Sequence, residues 1–267
     1  MSSTPRRLTQ PPIWVLIPGL LGAAVVLLPV AGMMTRLDWS ELPGLLTSPS
    51  SLAALRLSVW TALASTALCL VLGVPLALML ANARFRGLTV VRSVVLLPLV
   101  LPPVVGGLAL LYTLGSQGML AGALELFGLR IAYTSLAVVL AMTFVSMPFL
   151  VISVETAVRG MDREILEAAT VDGASRSAVL RHMILPLIAP GLVSGAVLAF
   201  ARSLGEFGAT LAFAGSLQGV TRTLPLEIYL QRETDPDAAV ALSLLLIGIA
   251  VAVISLAYSR THRQGAS

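Results

Sequence analysis

Lysine is absent from this 267-residue chain; all 17 basic residues are arginine. A phosphate-binding P-loop needs the lysine of its GxxxxGK motif to reach the nucleotide phosphates. The chain cannot carry that motif, so if ATP drives it, a partner supplies the ATPase. Cysteine is nearly absent too. Cys69 stands alone inside an apolar run, which excludes an intramolecular disulfide and argues against metal ligation. His182 and His262 are the only histidines, and neither has a metal-ligand or triad partner nearby. The chain therefore reads as no enzyme, with no metal site and no cofactor of its own. Charge is scarce: 11% of residues are charged against 57% hydrophobic, and mean hydropathy is +0.94. Such a balance excludes a soluble globule and fits a polytopic membrane protein embedded in a lipid bilayer. The arginines lie singly at loop ends, so a pI near 10.0 does not imply nucleic-acid binding. No soluble domain, linker, low-complexity segment or convincing internal repeat stands out. No cleavable signal peptide is expected, because the first apolar run is about 20 residues long and no small-x-small site follows it.

What is present is a series of long apolar runs. A crossing of a ~30 Å hydrocarbon core takes about 20 residues. The predicted spans are residues 13–34, 54–80, 90–114, 133–154, 187–213 and 238–258, with polar tails at 1–12 and 260–267 and a polar loop at 155–186. The fold class is all-α integral membrane, a single domain of six transmembrane helices. Pro98, Pro102 and Pro103 interrupt the third span. Each removes a backbone donor and clashes with the preceding turn. Irregular backbone at membrane depth needs protein or a cavity around it, so this segment is a candidate for a path across the membrane. Leu224-Pro225-Leu226 is expected to begin a short helix, since proline suits the first helical position. The arginine distribution sets the topology. Arg6, Arg7, Arg84, Arg86, Arg92, Arg159, Arg163, Arg176, Arg181, Arg260 and Arg263 fall on one side. Arg36, Arg56, Arg130, Arg222 and Arg232 fall on the other. The arginine-rich side is the cytoplasmic one, which puts both termini and the 155–186 loop inside the cell.

That loop reads as helix, sharp turn, helix. Asp162, Glu164 and Glu167 suit the N-terminal end of a first helix. Asp172-Gly173 breaks it, because glycine tolerates the left-handed conformation of a helix end. A second short helix, about residues 175–182, follows, and Pro186 and Pro190 precede the next span. The spacing Glu167-Ala168-Ala169, Gly173, Met183, Leu185-Pro186 resembles the EAA loop of ABC importer permeases. Met183 stands where that pattern prefers isoleucine, a change conservative in volume and apolarity. The resemblance implies a type I ABC importer architecture and a coupling helix that docks in a groove of the ATPase subunit. Glu167, Ala168, Ala169, Asp172, Gly173, Met183, Leu185 and Pro186 are the expected coupling residues.

A second signature is Arg202, Gly205, Glu206 and Gly208 in the fifth span. A charge at a span centre costs about 2.5–3.5 kcal/mol on insertion scales and faces a bundle interior or an aqueous cavity. Arg202 and Glu206 are spaced i, i+4 and can pair on one helix face, either as a structural pair or along the path or a subunit interface. Gly205 and Gly208 permit close helix approach. With Leu97 to Pro103 and the run Thr221-Arg222-Thr223-Leu224-Pro225-Leu226, this segment looks like the permease subunit of molybdate importers, within the molybdate, tungstate and sulfate oxyanion group. The resemblance covers most of the chain, and sulfate or thiosulfate permeases are the nearest alternative. It implies two copies of the chain, two ATPase subunits that bind ATP and Mg, and an extracytoplasmic oxyanion-binding protein. It implies multi-pass placement in the cytoplasmic membrane of a prokaryote. Arg222 is expected at the outer mouth, solvated rather than meeting the binding protein. An ion-coupled secondary transporter would show inverted repeats and midplane acids. Glu206 is the only acid read as lying well inside a span, and Arg202 can neutralise it.

Overall fold

Residues 13–161 and 175–264 are described by a computed structural model, and every regular element within them is a helix. In order these are α1 (Ile13–Met34), α2 (Leu42–Leu46), α3 (Pro49–Asn82), α4 (Leu88–Val100), α5 (Pro103–Leu114), α6 (Ala121–Leu126) and α7 (Ser135–Arg159). After residues 162–174 come α8 (Arg176–Leu204), α9 (Gly208–Ala214), α10 (Leu224–Thr234) and α11 (Pro236–Gln264). Among the described residues five helices are long and apolar enough to cross a membrane, and α4 with α5 passes the same test only as a pair bent by 115°, a geometry of a broken span or a re-entrant loop. Local chemistry sets the starts. Ser48, Thr134 and Ser175 each accept a backbone N–H of the first turn, at Ser51, Ala137 and Ala178, and so supply caps. Gly87, at φ +96, lets the chain turn between α3 and α4 where a side chain would strain.

The bundle centre is α3, α7 and α8. Ser65 meets Thr143 at 3.2 Å, and Gly73 lies against Leu150 and Met147, so α3 and α7 run the same way. α8 runs against them: Ser203 meets Ser146 at 2.7 Å, and Gly191 lies against Ala157. Lipid tails are as apolar as leucine, so close packing and polar contacts, rather than water exclusion, hold such helices together. Both devices are present. A Cβ on Gly191 would stand 2.5 Å from that of Ala157, so these two helices touch almost backbone to backbone. Ser65, Thr143, Ser146 and Ser203 are buried and form one chain of hydroxyls, Ser65 to Ser203 at 3.0 Å closing it. Contacts of this kind average about 0.6 kcal/mol each in membranes. By contrast α1 has no buried residue.

Several boundaries differ from those read in the sequence. The third span is not one kinked helix but two helices. Pro98 is held inside α4, and the break comes at Leu101 and Pro102, both extended. A residue before proline is pushed out of the helical region, and two successive prolines offer no N–H to continue the ladder. The fifth span begins earlier and ends earlier than residues 187–213. Its first turns are the segment expected as a separate helix at 175–182. Leu185 donates to the Leu180 carbonyl five residues back, a π-turn that carries the helix past Pro186. Met183, Leu185 and Pro186 therefore lie in α8, and α7 runs on to Arg159, so both ends of the expected 155–186 loop are helical. At its other end α8 stops at Leu204, so residues 208–214 form a separate helix. The second and sixth spans extend beyond 54–80 and 238–258 to the limits of α3 and α11, whereas the fourth starts later and ends later than 133–154, at Ser135 and Arg159.

Candidate functional site

The two broken crossings meet. A Cβ on Gly208, the first residue of α9, would stand 3.1 Å from the Pro103 Cβ and 3.3 Å from the Val104 nitrogen. Gly107 on α5 is closer still to Ala209 and Ala212 of α9. So α5 and α9 begin side by side and run together toward the Ser135 end of α7, where Leu110, Leu111 and Leu114 pack on Ile131, Ala137 and Val138. Pro102, Pro103, Gly205 and Gly208 are thus brought to one place. Pro98 lies one turn earlier, inside α4.

Glu206 holds this junction. It is 1% exposed. One carboxylate oxygen accepts from the Arg202 guanidinium at 2.7 Å, and the other accepts from the Ala209 N–H at 2.7 Å. The expectation of a pair on one helix face needs correcting: Gly205 ends α8, and Glu206 stands beyond it in the break. The carboxylate therefore joins the end of one helix to the start of the next, at the N-terminus where the helix dipole favours an anion. Arg202 keeps 27% of its side chain exposed. Next to it Ser203 belongs to the buried hydroxyl chain. Beside the break lies an open, mostly apolar groove of about 630 Å³, lined by Gly205, Phe207, Tyr229, Arg232, Ser243 and Ile247 among others.

Arg222 is not solvated as expected. It reaches Glu227 at 3.4 Å and the Ser216 carbonyl at 3.5 Å, with 24% of its side chain exposed. Glu227 is 1% exposed and also accepts from Gln231 at 2.8 Å. Glu206 is thus not the only buried acid, and the sequence reading missed Glu227. The signal available was its place one turn into a helix begun by Leu224-Pro225, with Arg222 just upstream. The Thr221–Leu226 run fastens this region: Thr221 accepts from the Leu217 N–H at 2.8 Å, and the Leu224 N–H donates to buried Ser58 of α3 at 2.6 Å. At the exposed end of α10, Arg232 stacks over Tyr229, and the neighbouring Glu233 carboxylate raises its pKa above the usual guanidinium range.

At the opposite end of the bundle, Glu155 accepts from Arg92 at 2.8 Å and from Arg159 at 2.7 Å. This cluster was also not foreseen, since Arg92 and Glu155 lie on different segments. Glu167, Ala168, Ala169, Asp172 and Gly173 lie outside the described residues. Among the described residues no three His, Cys, Asp or Glu side chains gather as metal ligands.

Residues 73–263 match the family model for the binding-protein-dependent transport system inner membrane component. The chain is 58% identical over 255 residues to the molybdenum transport system permease protein ModB of Mycobacterium tuberculosis, covering 95% of this chain and 96% of that one. It is 40% identical over 216 residues to ModB of Escherichia coli K12, covering 80% and 94%. Among solved structures, a chain of a bacterial alginate ABC transporter in complex with its periplasmic protein superposes with a TM-score of 0.72 at 19% identity, covering 94% of each chain. At that identity the likeness concerns the fold.

Proposed function

The chain belongs to the binding-protein-dependent transport system inner membrane components, and from that premise we propose that it is the membrane-spanning subunit of an ATP-driven importer of molybdate, with tungstate as a second cargo. The observation that carries the substrate is the likeness, over nearly the whole chain, to the molybdenum permease of M. tuberculosis. The absence of lysine means that the ATPase is a separate chain. In this reading two copies form the path, each docks one ATPase through Glu167 to Gly173, and an extracytoplasmic binding protein delivers the anion. Both termini and the coupling stretch face the cytoplasm of a prokaryotic cell, as the arginine distribution supports.

The path needs only weak affinity, because a tight site would retain its cargo. Selection therefore rests with the binding protein. Within the chain, the partly exposed Arg202 would offer planar N–H donors to a tetrahedral dianion, while Glu206 fixes the arginine in place. The broken backbones at Pro102 and Gly205 belong where protein or a cavity surrounds them.

The test is ATP hydrolysis and anion uptake by the complete complex in proteoliposomes, with the binding protein empty or loaded with molybdate, tungstate or sulfate. Molybdate and tungstate are expected to stimulate both activities and sulfate neither. Stimulation by sulfate would reassign the cargo and leave the mechanism. Gly173→Pro is expected to abolish stimulation by breaking the coupling turn. Arg202→Gln is expected to slow uptake by about tenfold, the loss that follows from removing one charged contact of about 1.4 kcal/mol. Normal uptake by Arg202→Gln in assembled complex would confine that residue to a structural role.

A further inference from the structure

α4 is the least anchored crossing segment next to the junction. It has no buried residue. Val94, Leu97, Leu99 and Val100 are exposed along it. Leu88 and Val95 touch the core near Leu80 and Val154, but apolar contacts in lipid give little preference for one position over another. What fixes the segment is Arg92. Its guanidinium donates to the Leu80 carbonyl near the end of α3 at 2.8 Å and pairs with Glu155 of α7 at 2.8 Å. Glu155 is only 13% exposed. Of the ion pairs among the described residues, this one alone joins two membrane-crossing segments; the others lie within five residues of chain.

The placement of this tie matters. Glu155 stands in the last turns of α7, and the chain passes from α7 directly into the stretch that leads to residues 167–173. Beyond Arg92, α4 leads through the Leu101-Pro102 break into α5, and α5 is pressed against α9 and the Glu206 junction. A displacement applied at the end of α7 therefore has one charged connection to the inner half of the broken crossing. We propose that Glu155 is a positioning residue for transport: it makes α4 follow α7, and so carries the motion of the ATPase-facing end to the junction of the two breaks. Arg159, one turn along α7, donates to the same carboxylate oxygen. This inference rests on the importer reading above.

The experiment uses the full complex with loaded binding protein in proteoliposomes, and reads molybdate transported per ATP hydrolysed. Glu155→Gln is expected to lower that ratio by about fivefold or more, the range of ordinary coupling free energies, with ATP hydrolysis itself kept within about twofold. Arg92→Glu alone is expected to lower it similarly. The exchanged pair, Arg92→Glu with Glu155→Arg, is expected to recover at least about half of the lost ratio, as partners in a double-mutant cycle do. An unchanged ratio in Glu155→Gln overturns the proposal. So does an equal fall of uptake and hydrolysis, which a merely structural role would give. So does an exchanged pair no better than either single variant. Arg92→Gln, on a helix without buried residues, carries the same comparison should Glu155→Gln not assemble. The wild-type complex separates the two levels: no ATP-driven uptake there overturns the importer reading, whereas normal uptake with an unaltered Glu155→Gln ratio overturns only this inference.

Discussion

Glu206→Ala is expected to remove most of the uptake and much of the thermal stability of the assembled permease together. The carboxylate has two partners and is 1% exposed. Truncation leaves the Arg202 guanidinium without its 2.7 Å partner and the Ala209 N–H without an acceptor. Breaking a buried pair by removing one member costs roughly 3–5 kcal/mol. The lower end applies, about 3 kcal/mol, because Arg202 keeps a quarter of its side chain open to its surroundings. The lost hydrogen bond at the start of α9 adds to this, since a seven-residue helix has few others to hold it. Glu206→Gln separates the contributions. Its amide oxygen can still accept from Ala209, so the cap survives while the charge goes. Combining Glu206→Gln with Arg202→Gln replaces the ion pair by two neutral amides. That double variant is expected to melt higher than Glu206→Gln alone, because no charge is left unpaired. Thermal unfolding of the purified complex checks all three. A melting temperature for Glu206→Ala equal to wild type would mean that Arg202 draws its stabilisation from somewhere other than Glu206.

The same residues show how far the sequence could be read. The hydropathy runs were enough for the fold class, because a crossing must be long and apolar whatever its neighbours are. Pro102-Pro103 announced a disturbance, and the break falls there. Pro98 gave the same local signal and is simply absorbed into α4, since a single proline costs a helix one bond that lipid-buried neighbours can replace. The break after Leu204 contains no proline. There the i, i+4 spacing of Arg202 and Glu206 imitated a helical pair, whereas the side chain of Glu206 is long enough to close the same contact from outside the helix. Glu227 escaped notice for a related reason: an acid in the first turn of a short helix reads as a dipole partner, and only the packing of α10 makes it buried. Arg92 and Glu155 are joined by tertiary contact alone, which no local pattern encodes.

Gly107→Ala is expected to nearly abolish transport, and Gly106→Ala to be tolerated, although the two changes add the same methyl group one residue apart. On Gly107 the new carbon would stand 2.6 Å from the Ala209 carbonyl oxygen, 2.7 Å from the Ala212 Cβ and 2.9 Å from the Ala209 Cα. Two of those atoms are backbone and the third is fixed to it, so no rotamer relieves the contact; α5 and α9 must separate. On Gly106 the closest atoms all belong to the Phe144 ring, the nearest at 2.8 Å, and a ring can turn or shift by a few tenths of an ångström. Overpacking costs typically 1–3 kcal/mol where the surroundings can give. That range fits Gly106→Ala at its low end and is a minimum for Gly107→Ala. The three nearest atoms all belong to α9 rather than to the central helices α3, α7 and α8, so the variant is expected to insert and assemble. What changes is the seat of α9, and with it the Ala209 N–H on which Glu206 rests. Uptake normalised to assembled complex is the measurement. A Gly107→Ala complex that transports at the wild-type rate would mean that α5 and α9 part during each cycle anyway, and that the close seat belongs to one state only. A Gly106→Ala complex as inactive as Gly107→Ala would instead place the constraint on the Phe144 face of α5, between that helix and α7.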